Sequence, residues 1–377
     1  MPTLSRADTS VFGRWWWSLD RATLVAVGAL IGFGYVLVLA ASPAVAERLR
    51  EGRDALVLKQ VFFLALALAV VVGISLLSPK EIRRVAMAGC ALALALTAAT
   101  LVVGISIKGG RRWIALPGFS LQPSEFLKPC FAVTAAWLMA EAKRSPSFPG
   151  TLIACGLYLL ILLLLPMQPD IGMLAVITAV FAVQLFLSGV PIVLMGGIGG
   201  IGVALAGLAY VVLPHVHSRV QRFLHPDATH GSGDNFQVDT ALQAFANGGL
   251  LGRGPGEGHI KDVLPDAHAD FVFAVAGEEY GLVVCALIIG LFVFIVLRGL
   301  RRAAEEADLF CALAAAGLAT SFGLQAFINM ASTLRLIPTK GMTLPFISYG
   351  GSSALAVALG VGMMLALTRR RWHGTTP

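Results

Sequence analysis

Three polar segments interrupt an otherwise apolar chain, and each carries side chains able to move a proton or hold an anion. The first, residues 264–281, reads LPDAHADFVFAVAGEEYG. Asp270 stands at the start of a long apolar run, with Glu278 and Glu279 about two turns deeper. Carboxylates at that depth are costly and functional by default. Asp270, at the water boundary and partly desolvated by Phe271 and Phe273, has the character of a general base. Glu278 and Glu279 read better as internal partners for cations or polar groups. Their separation from Asp270 does not suggest the paired acids of a glycosidase.

The second segment, residues 108–128, reads KGGRRWIALPGFSLQPSEFLK. Lys108, Arg111 and Arg112 precede a helix start marked by Pro123, with Ser124 and Glu125 in its first turn. Free N–H groups at such a terminus could bind an anion. Glu125 and Lys128 share a helical face. Plain capping with a snorkelling lysine is the alternative, but Lys128 lies about one turn inside an apolar run, where a charge is expensive. The third segment, residues 329–353, reads NMASTLRLIPTKGMTLPFISYGGSS. Its prolines and the Gly350/Gly351 pair fix an irregular backbone, and Lys340 can serve as a point charge for phosphate. A capped connection with incidental charges is the competing explanation. Pro166, Gln168, Pro169 and Asp170 form a broken helix connection in which Asp170 reads as a cap. His215, His217, His225 and His230 lack the anchored spacing of a metal site and read as solvated.

The elements that must position these residues are membrane spans. Of 377 residues, 57% are hydrophobic and 13% charged, with a mean hydropathy of +0.81. A soluble domain carries about a quarter charged residues. Apolar runs near 22–41, 56–77, 85–105, 124–141, 150–166, 170–188, 190–213, 269–297, 308–330 and 351–368 predict an all-α, polytopic integral membrane protein of about ten spans. Residues 22–368 then form one transmembrane domain between a segment 1–21, with Trp15, Trp16 and Trp17 as an interfacial anchor, and a tail 369–377. Ala44, Val45 and Ala46 resemble a signal cleavage site, but the run before them is too long for a signal core and reads as a retained first span. Arg6, Arg14 and Arg21 at one end and Arg369, Arg370 and Arg371 at the other place both termini in the cytoplasm. The loop 214–269, glycine-rich over 248–258 and weakly helical over 236–247, is then extracytoplasmic and suggests a re-entrant or surface helix. The net charge of +7 is scattered in short clusters, which suits orientation signals and lipid headgroups and not nucleic acid. Cys90, Cys130, Cys155, Cys285 and Cys311 sit in apolar runs and read as small buried hydrophobes.

GRRW, QPSE with Lys128, QPD with Gly172, LPDAHADFVFA with Glu278 and Glu279, and PTKGMTLPFISYGGSS occur in the order of the SEDS family (shape, elongation, division and sporulation) of cell-wall polymerases. The chain resembles that family from Trp15 to Arg371, and its division-type members more than its elongation-type members. The resemblance implies a peptidoglycan glycosyltransferase that polymerises lipid II at the outer face of the bacterial inner membrane. It places the essential aspartate on Asp270 and the basic and polar cavity residues on Arg112, Gln122, Glu125, Lys128 and Lys340; the substrate-binding set expected here is Arg111, Arg112, Gln122, Lys128 and Lys340, with Glu125, Asp170, His268, Glu278, Glu279 and Ser348 in supporting roles. It also implies a class B penicillin-binding protein as crosslinking partner, beside other divisome membrane proteins. No cofactor is implied; a divalent cation could accompany the diphosphate, but no dedicated cage is readable. Two rivals remain: a flippase for the same lipid, which needs charge along its whole path, and a non-catalytic division scaffold, which needs no Asp270.

Overall fold

The computed structural model describes residues 10–49, 53–107, 110–116, 119–212, 214–224, 234–338 and 341–369. Of the residues singled out above, Arg6, Lys108, His225, His230, Lys340, Arg370 and Arg371 lie outside this set.

Each expected apolar run is a helix among the described residues. A short helix α1 (Val11–Ser18) carries the three tryptophans, and α2 (Arg21–Leu49), α3 (Arg53–Ser75) and α4 (Pro79–Val103) follow. Then come α5 (Pro123–Arg144), α6 (Gly150–Met167), α7 (Ile171–Leu187), α8 (Ile192–Val212) and α9 (Pro214–Leu224). The chain continues through α10 (Asp234–Gly248), a one-turn α11 (Ile260–Val263), α12 (Val272–Ala304), α13 (Leu309–Thr333) and α14 (Gly351–Leu367). By length and composition α2, α3, α4, α6, α12 and α13 can cross a membrane, and α7 and α14 are shorter apolar helices. The Ala44–Ala46 stretch is an uninterrupted part of α2.

The most polar of the long helices is also among the most enclosed. α5 packs against α4, α6, α7, α13 and α14, while α13 packs against α5, α7, α12 and α14. This arrangement keeps Glu125 and Lys128 away from lipid, because charge is tolerated at membrane depth only inside protein. Cys90, Cys130, Cys285 and Cys311 are buried as the sequence suggests, and Cys155 is half-buried.

Two features lie beyond the sequence reading. Between α4 and α5 the chain forms a small antiparallel sheet in the order β1 (Ile105–Ile107), β2 (Gly110–Leu116), β3 (Phe119–Leu121), with Ile114 opposite Leu121. Ile105, Ile107, Trp113 and Ile114 supply its β-branched and aromatic residues, and the Pro117-Gly118 dipeptide between β2 and β3 is a turn signal. The second feature is a break inside α12 at Gly281, whose backbone (φ 76°, ψ −178°) only glycine adopts without strain. The glycine-rich segment after α10 fills the break. Arg253 N–H and Gly254 N–H donate to the carbonyls of Glu278 and Glu279, and Leu282 N–H and Val283 N–H donate to Gly249 and Leu250. A helix interrupted within the bilayer thus keeps its backbone groups paired.

Candidate active site

Asp270 lies in the turn that leads into α12, two residues before the helix begins. The carbonyl of Asp266 accepts from the N–H groups of Ala269, Asp270 and Phe271, closing a tight turn, and Asp266 itself takes a left-handed backbone (φ 53°). Two side chains from elsewhere hold this turn. Asn329, fully buried on α13, donates through Nδ2 to the carbonyls of Asp270 (3.0 Å) and Met342 (2.7 Å). Ser348 donates to the carbonyl of Ala269 (2.5 Å) while accepting from Leu344 N–H (2.7 Å). The turn around Ser348 is itself strained, with Phe346 at φ 62°. His268 joins through its main chain, accepting from Tyr349 N–H at 2.8 Å. Gly341 approaches so closely that a Cβ there would stand 3.2 Å from Asp270 Oδ2. The residue before it, Lys340, lies outside the described residues.

Lys128 is buried one turn into α5, where its Nζ pairs with Glu125 Oε2 (2.8 Å) and donates to Gln325 Oε1 (2.6 Å). Gln325 lies one turn before Asn329 on α13 and donates to the Thr343 carbonyl (3.1 Å). Thr343 and Ser353 share a 2.5 Å hydrogen bond between hydroxyls. A continuous polar chain therefore runs from the Asp270 main-chain carbonyl through Asn329 and the 342–343 backbone to Gln325 and Lys128. An ammonium has three donors; two of those on Lys128 have protein acceptors among the described residues, and the side chain borders a cavity between α5, α13 and α14.

The other expected site residues gather at the α6–α7 corner. Arg112 on β2 spends Nε on the Gln168 carbonyl and Nη2 on the Pro169 carbonyl, both at 2.6 Å, and places Nη1 3.5 Å from Asp170 Oδ2. Asp170 caps α7 through Met173 N–H, as the sequence suggests, and accepts from Gln122 Nε2 at 3.3 Å. Gln122 N–H donates to Ser352 Oγ at the start of α14. Arg112 thus has three of its nitrogens directed at one corner. Arg111, its neighbour on the strand, points outward, with a 3.5 Å contact to the Leu101 carbonyl.

Glu278 and Glu279 stand apart from this network and hold the glycine-rich segment. Glu278 accepts from the main-chain N–H groups of His259 and Ile260, and Glu279 pairs with buried Lys261 at 2.5 Å and accepts from Gly256 N–H. Sequence reasoning did not single out Asn329 or Gln325, nor Lys261 as a buried partner. For the first two a signal existed: Ser321, Gln325 and Asn329 recur every four residues in an apolar helix, which draws a buried polar stripe.

Comparison with known proteins adds independent information. A family model described as cell cycle protein and named for FtsW, RodA and SpoVE matches residues 21–373. The chain is 45% identical over 368 residues to the "Probable peptidoglycan glycosyltransferase FtsW" of Caulobacter vibrioides, covering 97% of this chain and 93% of that relative. A protein of the same description from Trichlorobacter lovleyi is 36% identical over 361 residues, covering 93% of both. Among solved structures, a chain of a peptidoglycan synthase complex that coordinates polymerization and crosslinking superposes with a TM-score of 0.78 at 27% identity, covering 94% of this chain and 98% of that one. The Thermus thermophilus rod shape determining protein RodA gives 0.65 at 26% identity, covering 94% and 97%.

Proposed function

We propose a reaction from one premise: the chain belongs to the FtsW, RodA and SpoVE family of cell cycle proteins, and is a multi-pass membrane peptidoglycan glycosyltransferase. The substrate is lipid II, in which a disaccharide-pentapeptide hangs from undecaprenyl diphosphate. Asp270 takes the proton from an acceptor sugar hydroxyl as that oxygen bonds to the anomeric carbon of a second lipid-linked sugar. The bond from that carbon to the diphosphate breaks, and the electron pair leaves on the diphosphate. Lys128, with a donor to spare among the described residues, and Lys340, next in sequence to Gly341, stabilise the departing charge. Arg112, Gln122 and Asp170 hold the α6–α7 corner, Arg111 offers an outward cation to the headgroup, and Glu125 pairs with Lys128 and fixes its position. Tethering of both reactants by lipid explains why the site stands at membrane level.

One observation carries this reading: the main chain of Asp270, a half-buried residue at the start of a membrane helix, is fixed through Asn329 and the 342–343 backbone to the Gln325 that also holds the buried Lys128 ammonium. The reaction face is extracytoplasmic and both termini are cytoplasmic, as the basic ends of the chain favour. Crosslinking belongs to a class B penicillin-binding protein, since the sequence carries no transpeptidase nucleophile motif.

The test is purified Asp270→Asn protein with labelled lipid II. Removal of the base predicts a loss of about 10² to 10⁴ in polymerisation rate with folding and partner binding intact. Glycan strands made at the wild-type rate would end the base assignment, and lipid translocation without polymer would favour a flippase.

A further inference from the structure

At the far end of α12 from Asp270, the structure holds a second cation-lined pocket. It is a cleft of about 420 Å³ between the α1–α2 junction and the last turns of α12, lined by Trp17, Ser18, Leu19, Asp20, Arg21, Ala22, Arg298 and Arg302. Three arginines and one carboxylate line it, and two of the guanidiniums, those of Arg298 and Arg302, face the carboxylate. Asp20 is 4% exposed; its Oδ2 accepts from Arg298 Nε at 2.6 Å and Thr23 Oγ1 at 2.9 Å and lies 3.8 Å from Arg302 Nε. Burial pushes the Asp20 carboxyl up, but the Arg298 hydrogen bond and the two guanidinium charges bring it below its usual range. It is therefore ionised and balances one arginine. Asp20 Oδ1 is buried and accepts no hydrogen bond among the described residues. Arg21 stacks over the Trp17 ring at 4.9 Å. The neighbouring Arg301 is 81% exposed along its side chain and already paired with Glu305 at 3.1 Å.

Two positive charges are thus left over in a pocket at the membrane boundary, and arginine forks suit phosphate oxygens. The adjacent surface decides between a soluble and a lipid-borne phosphate. One turn along α2 from Arg21 lies Val25, 71% exposed, and one turn back along α12 from Arg298 lies Phe294, 42% exposed, beside Leu297. These faces give acyl chains an apolar track leading directly from the cations. We propose that this pocket binds the phosphodiester headgroup of an anionic phospholipid in the leaflet opposite the reaction site, with Arg21, Arg298 and Arg302 as its donors and Trp17 as the interfacial wall.

Native mass spectrometry of the full-length protein, titrated with phosphatidylglycerol or phosphatidylcholine, tests this. Wild-type protein should retain one phosphatidylglycerol in preference to phosphatidylcholine. Arg302→Gln, which leaves the Arg298–Asp20 pair in place, and Arg21→Gln, which removes an exposed side chain, should each weaken that retention about tenfold or more, the value of a charge-assisted hydrogen bond. Arg301→Gln, an equal change in charge outside the pocket, should behave as wild type. Equal retention of both lipids would overturn the proposal. Loss in Arg301→Gln matching that in Arg302→Gln would do the same, reducing the effect to general charge. Saturable binding of inorganic phosphate without lipid preference would assign the pocket to a soluble anion and reject a lipid site.

Discussion

Lys128 offers a way to separate a structural charge from a functional one. The ammonium is 4% exposed and its partner Glu125 8%, so removing the lysine leaves a carboxylate buried without a cation. Breaking a buried pair from one side costs about 3–5 kcal/mol, whereas removing both charges is often close to neutral. Lys128→Met should therefore destabilise the protein by about that amount, read as a shifted midpoint of unfolding in denaturing detergent. Glu125→Gln combined with Lys128→Met should recover most of the loss. Activity should not follow stability. If the ammonium meets the departing diphosphate, its absence costs about 10² to 10³ in rate whether or not Glu125 is neutral. Polymerisation of labelled lipid II by the double variant, measured in the same micelles, should stay that far below wild type. A double variant that regains both stability and polymerisation would show that Lys128 only neutralises Glu125. A single variant as stable as wild type would refute the buried-pair argument itself.

Asn329→Leu removes both hydrogen bonds that tie the Asp270 turn to Met342; a fall of about tenfold in kcat with KM little changed is expected, because misplacing a base by about 1 Å can cost 10². Gly341→Ala places a methyl 3.2 Å from Asp270 Oδ2, and the carboxylate must yield, so polymerisation should drop by about threefold to tenfold with the unfolding midpoint unchanged. Lys261→Met strips the buried cation from Glu279, and a destabilisation of about 3–5 kcal/mol is expected in detergent unfolding.

The helices were legible because membrane solvation makes the signal coarse: a run of about 20 apolar residues between charges or prolines has few other uses. The polar members of the site were legible for the converse reason, since Asp270, Glu125 and Lys128 each violate the apolar rule where violation is expensive. Roles were harder to read than positions. Arg112 looks like a free cation in sequence, and only tertiary structure shows its nitrogens directed at the Gln168 and Pro169 carbonyls and at Asp170. The small sheet before α5 was hidden because each strand is short and its pairing depends on neighbours that local pattern does not encode. Asn329 and Gln325 carry no charge, so a search for charge passed over a polar stripe that periodicity would have revealed.

The break at Gly281 connects these observations. A membrane helix interrupted at depth must find four backbone partners from outside itself, and the only segment able to lie against it is one without side chains at the contact points. A Cβ at Gly252 would collide with the Glu279 carbonyl, and one at Gly281 with Gly252 N and the Leu250 carbonyl. Gly248, Gly252 and Gly258 are therefore a packing requirement of α12, whereas Gly249, Gly254 and Gly256 serve the turn through their positive φ. Glu278 and Glu279 complete it by binding the N–H groups and the lysine that follow. This ties the segment leading into Leu264 and the Asp270 turn to the helix that the turn begins. The turn that carries Asp270, the proposed base, is held from two sides, by α13 through Asn329 and by its own helix through the inserted segment, so a residue on a connecting loop can keep a fixed position at the membrane boundary.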